Sequence, residues 1–513
     1  MTTWSEGYAA ESDYVAHYTT ELNPLRAGPL LLDAGYAVQG PPRTACELGF
    51  GLGLSTVVHA AAGTATWWGT DFSPSQTLFA RELAAAAGID LNLHDQSFAE
   101  FCARDDLPEF DFIALHGVWS WISESNRGLI VDFLRRKLRV GGTFYISYNA
   151  LPGWAQIIPV RNLMRSFVER ALPAGQDAER QAAAALDFAV RLMAQNPHMA
   201  TAYPLAASTV DGMRKNDPRY VAHEYLNRDW APMSFADVAA RLDAAKLGFA
   251  CSAAPSDHFD RYFLTTEQQQ TLAETADPVL REGVRDFMTN RRFRKDYWIK
   301  GGRRTGEAVR RAAFGGQRVV LARPAAQAVR TVAEAPAASE LPAHVVDPLV
   351  SALSDHRARE IRELGLILGD AVPDPADLGR VVLCLVGNGT LAFAQDDAAI
   401  EAARARAQAL NREIFRRAEH SAEISLLASP VTGGGLAVPR FQLQMLGARA
   451  AGAADPADWA RAVWAPYRAL GQVLIRDGVT LTSEAENLAY LTEIATAFAA
   501  TELPMLKALH AID

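Results

Sequence analysis

The sequence predicts an α/β fold, in which a doubly wound seven-stranded parallel sheet is followed by a mostly helical C-terminal domain. Two observations predict the sheet. Apolar runs typical of buried strands alternate with helical segments over residues 42–146. The first strand also runs into a glycine-rich turn, TACELGFGLG, that opens the next helix. Ligands of such sheets bind beyond the carboxyl ends of the strands.

The predicted elements follow one another in a regular order. Strands are predicted from the runs TACELGF, TATWWGTDF, DLNLHDQSF, FDFIALHGV and TFYISYN. The segments LSTVVHAAAG, SPSQTLFARELAAAAG and NRGLIVDFLRRKLRVGG predict helices between these strands. Ser73 suits the N-cap of the second of these helices, and Pro74 suits its first position. Strand and helix therefore alternate up to a fifth strand.

The remainder of the chain predicts three further parts. We expect the sheet domain to span residues 1–265, with a helical insertion over 156–218. After the insertion, YVAHEYLN, SFADVAARLDAAK and LGFACSAA predict strand, helix and strand, which would complete the sheet. A charged helical connector is expected over 266–321, and the Ala/Pro-rich residues 322–343 predict a linker. Residues 344–513 predict a smaller, mostly helical domain.

Composition excludes several classes of function. The net charge of -9 argues against general nucleic-acid or anionic-membrane binding, both of which need a basic surface. The N-terminus has no basic segment followed by an apolar one, so no signal peptide is predicted. The uncharged stretch between Glu47 and Asp71 is too rich in Gly, Thr and Ala for a membrane span. We expect a cytoplasmic protein without a membrane span.

The cysteines predict neither a metal site nor a disulfide. Four are scattered along the chain without a CxxC pair: Cys46, Cys102, Cys251 and Cys384. Buried thiols in a reducing cytoplasm are the favoured interpretation.

The glycine turn predicts the class of ligand. Gly49, Gly51 and Gly53 stand at alternate positions, two residues behind Glu47. Leu54 occupies the position where a P-loop needs lysine and where a GxGxxG dinucleotide motif needs glycine. An acid just before the turn is a poor neighbour for pyrophosphate and a good one for an amine or a sulfonium. S-adenosylmethionine has both groups, carries an adenosine and lacks phosphate.

Further acids support a nucleoside site. Asp71 follows the second strand, 22 residues after Gly49, where a carboxylate can bind both ribose hydroxyls. In the loop after the third strand, Asp95 can accept a hydrogen bond from the adenine amine, with Phe98 beside the ring. An acid such as Asp71, taken alone, is more often a helix-capping surface residue. The order and spacing of the whole set favour a cofactor site.

The motifs ELGFGLG, GTDF, LHGVWSWIS and SYNALPGW resemble those of class I S-adenosylmethionine-dependent methyltransferases. More narrowly, the chain resembles the bacterial group with a methyltransferase regulatory domain, which includes lysine methyltransferases acting on outer-membrane proteins. YVAHEYLNRDWAPMSF is similar to the regulatory region, and LASPVTGGGLAVPRF to the C-terminal part. The resemblance implies a Rossmann-like fold, S-adenosylmethionine as cofactor and a protein substrate, and it gives the connector over 266–321 a regulatory role.

The resemblance also implies which residues bind the cofactor. They run from the methionine end through the ribose and adenine to the sulfonium: Glu47, Gly49, Gly51, Gly53, Asp71, Phe72, Asp95, Ser97, Phe98, His116 and Gly117. Many amine methyltransferases have a D/N-PP-Y/F motif after the fourth strand, and this chain has HGVWSW instead.

Acceptor chemistry points to residues after the fourth and fifth strands. A lysine ammonium must lose a proton before it attacks, at a cost of about 4–5 kcal/mol at pH 7, so a pocket that disfavours charge helps. Aromatic candidates for that pocket are Trp119, Trp121, Tyr148 and Trp154, although such residues are as often core. Asn149 is a candidate for orienting the amine, and His116 for a general base.

The predicted function is methylation of protein side chains, with lysine as the leading acceptor. One alternative is a small-molecule or sugar methyltransferase; another is a cofactor-binding interaction protein without turnover. The basic cluster RRFRKDYWIKGGRR, residues 291–304, suits an acidic partner or, better, a solvated face. The sequence leaves a homodimer open.

Overall fold

The structure is a computed structural model. It describes residues 16–173, 175–195, 197–216, 218–335, 339–372 and 374–513, with the backbone alone at 218–220 and 223.

The helices and strands alternate in the first part of the chain, and helices dominate the second. The helices are α1 (Pro24–Asp33), α2 (Leu54–Ala62), α3 (Pro74–Ala86), α4 (Phe98–Cys102), α5 (Glu124–Lys137), α6 (Ile158–Ala171), α7 (Ala178–Ala194), α8 (His198–Ala202), α9 (Pro204–Met213), α10 (Pro218–Tyr225), α11 (Phe235–Asp243), α12 (Thr266–Glu274), α13 (Pro278–Thr289), α14 (Glu307–Gly315), α15 (Ala343–Ala352), α16 (Ile361–Leu368), α17 (Pro375–Gly387), α18 (Asp397–Ala418), α19 (Arg440–Ala450), α20 (Pro456–Ala469), α21 (Glu484–Ala500) and α22 (Glu502–Ala508). The strands are β1 (Thr44–Leu48), β2 (Thr66–Thr70), β3 (Asn92–His94), β4 (Phe110–Leu115), β5 (Leu138–Asn149), β6 (Leu247–Ser252), β7 (Phe293–Lys300), β8 (Arg318–Leu321), β9 (Arg359–Glu360), β10 (Leu391–Ala394), β11 (Leu426–Ser429), β12 (Gly434–Ala437), β13 (Ile475–Arg476) and β14 (Val479–Thr480).

The main sheet has seven strands in the order β3-β2-β1-β4-β5-β7-β6. Strands β1 to β5 pair in parallel, whereas β7 runs antiparallel to both of its neighbours. The predicted α/β architecture is thus confirmed, with one strand reversed against the expected all-parallel pairing. Because β1 and β4 lie side by side at the centre while the chain moves outward from them in opposite directions, their carboxyl ends form a crevice.

The local sequence explains where the central elements begin. Phe112, Ile113 and Ala114 of β4 are fully buried, as expected for a strand covered on both faces. Helix α5 starts after Ser123, whose hydroxyl accepts a hydrogen bond from the Asn126 amide at 3.2 Å. Pro74 stands at the first position of α3, where the missing N–H costs nothing.

The seventh strand lies elsewhere than predicted. YVAHEYLN forms α10, and the seventh strand is β7, within the basic cluster that we expected to be helical and solvated. Arg294 of β7 is only 5% exposed, and its guanidinium contacts the carboxylates of Glu282, Asp286 and Asp296. These buried partners neutralise the charge that made the segment resemble a surface helix, so the sequence-based prediction was wrong here.

The domain boundaries are less sharp than the sequence indicates. The predicted boundary at residue 265 falls between β6 and β7 of one sheet. The predicted linker contains the buried side chains of Val332 and Leu341. Helix α2 of the sheet domain packs against α18 and β11, so that Val57 and Leu410 belong to one apolar core. The C-terminal part is therefore mostly helical, as predicted, and is docked directly on the sheet domain.

Three further findings concern the residues that the structure describes. Among them, no helix combines the length and apolar character needed to cross a membrane. Within the same residues, no group of three His, Cys, Asp or Glu side chains is arranged to hold a metal ion. The four cysteines are free and buried, as expected from their scattered positions.

Candidate functional site

A cavity of about 970 Å³ opens at the carboxyl edge of the central strands. Gly49 follows β1, Asp71 follows β2, His116 follows β4 and Asn149 ends β5, and all four line the cavity. Its outer wall comes from residues far along the chain, in α9, in the segment 224–229 and at the start of β7. The cavity thus lies at the switch point where such sheets bind ligands.

The glycine loop leaves one end of this cavity lined by backbone. Gly49, Gly51 and Gly53 have φ values of +70°, +59° and +66°, which residues other than glycine rarely adopt. A Cβ atom on Gly49 would lie 2.7 Å from Val118, and one on Gly53 would lie 2.7 Å from Ala80. Gly51 meets nothing closer than 4.0 Å, so its face is open to the cavity.

Two buried carboxyls flank this loop. Asp71 accepts hydrogen bonds from the amides of Gly51 at 2.9 Å and Ser73 at 3.0 Å, yet burial raises its pKa to about 6. Glu47 accepts a hydrogen bond from the Thr56 hydroxyl, and burial raises its pKa to about 8. Both carboxyls lack a cationic partner in the part of the chain that the structure describes. A ligand with a positive charge would stabilise their ionised forms.

The adenine side differs in part from the prediction. Phe72, Ser97 and Phe98 line the cavity, as does Gln96, which the sequence analysis missed. Asp95 does not line it: its side chain is 50% exposed and lies 3.9 Å from Arg81. Strand β3 ends at His94, one residue before this acid, and the chain turns it outward. Asp95 is therefore corrected to a surface position.

Ser97 has a structural task of its own. Its hydroxyl accepts a hydrogen bond from the Glu100 amide at 3.3 Å, and the Glu100 carboxylate accepts one from the Ser97 amide at 2.8 Å. This capping box starts α4 and fixes the loop that carries Phe98 to the cavity.

His116 is held by hydroxyls at the end of β4. Its Nδ1 lies 2.9 Å from the Tyr145 hydroxyl and 3.1 Å from the Ser147 hydroxyl. Burial lowers its pKa to about 4, so the imidazole is neutral at physiological pH. The Ser147 hydroxyl also accepts the amide of Gly117 at 2.8 Å, which fixes the turn that both residues share.

Only part of the predicted acceptor pocket faces the cavity. Trp121, Asn149 and Trp154 line it. Trp119 and Tyr148 do not, because they are 0% and 1% exposed and belong to the apolar core under α5. An aromatic side chain at the end of a strand can point to the cavity or to the core, and Trp119 and Tyr148 point to the core. Trp119 and Tyr148 are therefore corrected to packing residues.

The outer wall holds polar residues that the sequence analysis missed. They are Glu224, Tyr225, Asn227, Asp229 and Arg292. Burial raises the pKa of Glu224 to about 8, against the lowering effect of Arg292. These residues were missed because the first four were assigned to a strand or its surroundings and Arg292 to a solvated face. No short motif marks them, since only the folded chain brings the end of α10 and Arg292 to the same cavity.

Comparisons with known proteins agree with this architecture. Residues 217–300 match a family described as a predicted methyltransferase regulatory domain. That span contains α10, α11, β6 and β7, and so supplies two strands of the sheet and about half of the outer wall. The chain is 32% identical over 518 residues to the uncharacterized protein sll1526 of Synechocystis sp., which covers 98% of this chain and 99% of that protein.

A second relative and a solved structure are also similar. The uncharacterized protein RP789 of Rickettsia prowazekii is 28% identical over 251 residues, 48% of this chain and 44% of its own. The structure of PKMT2 from Rickettsia typhi in complex with AdoHcy superimposes with a TM-score of 0.66 at 16% identity. It covers 97% of this chain and 99% of that one, so the two share a fold over their whole length.

Proposed function

This chain belongs to the class I methyltransferases that carry a methyltransferase regulatory domain, and we propose that it methylates lysine side chains of a protein substrate. The observation that carries the proposal is the two-ended cavity. One end is the backbone cradle of Gly49, Gly51 and Gly53, and the other is an aromatic wall with a half-buried carboxyl, Glu224. The first end suits a cationic nucleoside, and the second suits an amine.

The cradle fits S-adenosylmethionine. The open face of Gly51 and the buried carboxyls of Glu47 and Asp71 would accept the methionine amine and the ribose, and Phe98 would contact the adenine. When bound, this cofactor supplies a methyl group already activated by the adjacent sulfonium. The protein has only to exclude water and to place the acceptor in line with the methyl carbon.

The outer wall supports an amine acceptor over a hydroxyl. A hydroxyl acceptor needs a strong base close by, and the buried imidazole of His116, with its pKa lowered to about 4, is a poor one. An amine needs only to lose its extra proton and to be held. Trp121 and Trp154 offer aromatic faces for the cation, while Glu224 offers a carboxyl.

Two further observations bear on a protein substrate. PKMT2 from Rickettsia typhi, whose fold this chain shares, was solved in complex with AdoHcy. Leu205, Thr209 and Met213 of α9 line the cavity, and Leu205 is exposed, so an apolar part of a substrate can contact this side. The cytoplasmic location and the homodimer stay predictions.

The test is a labelling experiment. The purified chain and its Asp71→Ala variant are incubated with methyl-labelled S-adenosylmethionine and a lysate of the source cell. We expect label on lysine residues of protein, located by peptide mass spectrometry, and none with the variant. Label on small molecules, or on serine and threonine hydroxyls, would contradict the proposal.

A further inference from the structure

The regulatory region, residues 217–300, places one carboxyl inside the cavity. Glu224 lies in the last turn of α10 and lines the same cavity as the glycine loop. The next residue, Tyr225, is 4% exposed and packs against Trp154 with ring centroids 6.1 Å apart. The backbone that carries Glu224 is thereby fixed against the aromatic wall.

The cation beside Glu224 is already engaged. Arg292 acts on this carboxyl electrostatically, but its guanidinium lies over the Trp154 ring at 4.7 Å from the centroid. The Trp154 indole N–H donates to the Arg292 carbonyl at 2.8 Å, which holds the two residues together. Burial outweighs Arg292 and raises the pKa of Glu224 to about 8. The carboxyl is therefore short of positive charge, and a second cation fits there.

An unsatisfied amide faces the same cavity from the sheet. Asn149 is 4% exposed, and its Nδ2 has no hydrogen-bond partner among the described residues. The backbone of Asn149 is held from both sides. Its backbone N–H donates to the Ser120 hydroxyl at 2.9 Å, and its backbone carbonyl accepts from the Met233 N–H at 3.0 Å. A fixed, buried amide without a partner indicates a polar ligand on this side of the cavity.

We propose that Glu224 binds the ammonium of the acceptor lysine and takes its proton before methyl transfer. This assignment rests on the proposed function. One proton passes from the ammonium nitrogen to a carboxylate oxygen of Glu224. The freed lone pair on nitrogen then bonds to the methyl carbon, while the carbon–sulfur electron pair stays on sulfur. The protonated Glu224 returns its proton to water when the product leaves.

Of the other titratable groups that line the cavity, Glu47, Asp71 and His116 are poorer candidates than Glu224 for accepting the proton. The described ones are His17, Glu47, Asp71, His116, Tyr225, Asp229 and Arg292. Glu47 and Asp71 belong to the cofactor end. His116 has a pKa of about 4, which makes it a far weaker proton acceptor than a carboxyl whose pKa is about 8. The positive charge of Arg292 lowers the pKa of Glu224 and so favours its ionised form.

The first test measures binding without turnover. S-adenosylhomocysteine is bound to saturation, and n-butylammonium is then titrated into the wild type, Glu224→Gln, Glu224→Asp and Asp243→Asn by calorimetry. Asp243 is an exposed acid of the same region and serves as the matched control. We expect the amine to bind about tenfold more weakly to Glu224→Gln than to the wild type or the control. Equal affinities for all four proteins would overturn the assignment.

The second test measures transfer. With a lysine substrate, Glu224→Gln should lower kcat by about 100-fold, the usual effect of losing a general base, while the affinity for S-adenosylmethionine stays within about twofold. Glu224→Asp should recover part of the rate. Unchanged kcat in Glu224→Gln would overturn the assignment. If the wild type itself modifies no lysine, the proposed function fails, whereas Glu224 is still judged by the n-butylammonium titration.

The pH profile gives a readout that a structural role would not change. In the wild type, log(kcat/KM) should rise with an inflection near the pKa of Glu224, which is about 8. In Glu224→Gln that inflection should disappear and leave only the deprotonation of free lysine at higher pH. Tyr225 lies beside Glu224, but burial raises the pKa of its hydroxyl to about 12, so it gives no inflection in this range. The same inflection in both proteins would contradict the role.

Discussion

The carboxylate of Asp71 accepts a hydrogen bond from the backbone amide of Gly51 at 2.9 Å. This contact ties the turn after β2 to the glycine loop after β1, across the two strands that form the cofactor end of the cavity. The second oxygen of Asp71 accepts the Ser73 amide at 3.0 Å. Each oxygen keeps a free lone pair, so the carboxylate can hold the loop and still accept ribose hydroxyls.

Replacing Asp71 by asparagine should separate these roles. The variant keeps one accepting oxygen and presents an NH₂ group to either Gly51 or Ser73, which leaves one amide without a partner. We expect the free energy of unfolding to fall by about 1–3 kcal/mol and the affinity for S-adenosylmethionine to fall at least about tenfold. Denaturant titration and calorimetry measure the two effects.

The control for this change is Asp90→Asn, which removes an exposed acid just before β3. It should alter neither stability nor cofactor affinity by a measurable amount. Unaltered cofactor affinity in Asp71→Asn would show that the carboxylate serves the loop alone.

The glycines of the loop should differ in their tolerance of alanine. A Cβ on Gly53 would lie 2.7 Å from the Cβ of Ala80, whereas one on Gly51 has open space. Because φ is positive at both positions, alanine strains the backbone in both variants and lowers their stability. Only Gly53→Ala adds a clash between α2 and α3. We expect Gly53→Ala to lose about 2–4 kcal/mol of stability and Gly51→Ala about 1 kcal/mol.

The two variants should show the opposite order in cofactor affinity, with the larger loss in Gly51→Ala. Gly51→Ala places a methyl group on the open face that would meet the ligand, so it should weaken S-adenosylmethionine binding despite its milder effect on folding. Gly128→Ala, in α5 with no neighbour near its Cβ, is the control: it should leave cofactor affinity unchanged and raise stability by up to about 1 kcal/mol. Thermal unfolding with and without cofactor measures both; equal losses in the two loop variants would be inconsistent with this geometry.

The pKa of Glu47 predicts how stability depends on pH. Burial raises this pKa from 4.5 to about 8, so the folded state binds the proton more tightly than the unfolded chain does. The resulting stabilisation is present below pH 4.5 and is lost as the pH rises to about 8. Without cofactor, Glu47→Gln should therefore gain stability relative to the wild type between pH 5 and 8, by roughly 1–3 kcal/mol.

The control is Glu274→Gln, which removes an exposed acid of α12. Its free energy of unfolding should change with pH as that of the wild type does over the same range. Adding S-adenosylmethionine should reduce the difference at pH 8, because a bound cation favours the ionised form of Glu47. Denaturant midpoints at four pH values decide the matter. A constant gap between Glu47→Gln and the wild type would mean that Glu47 is ionised throughout.

The sequence predicts features whose cause is local and misses those that depend on distant partners. The glycine loop was predicted because backbones with positive φ, as at Gly49 and Gly53, require glycine whatever surrounds them. Strand β7 was missed because the charge of Arg294 is neutralised by acids on a separate helix. Glu224 was missed for a related reason, since only the fold brings α10 to the cavity.

Arg294 gives the last prediction. Its guanidinium is 5% exposed and binds Asp286 at 2.7 Å, Glu282 at 2.9 Å and Asp296 at 2.9 Å, and the Tyr148 hydroxyl donates to Asp296 at 3.1 Å.

Arg294→Met would leave these acids buried without their shared cation. We expect a loss of roughly 3–5 kcal/mol at neutral pH, against no measurable loss for Arg303→Met, an exposed arginine just beyond β7. The loss should be smaller at low pH, because removing Arg294 raises the pKa of Asp286 above the value of about 6 that it has beside the guanidinium, and the protonated acid carries no uncompensated charge. Denaturant unfolding of both variants at pH 5 and pH 8 measures this. Equal losses at the two pH values would show that Arg294 stabilises β7 through packing against Phe235 and Phe249 rather than through its charge.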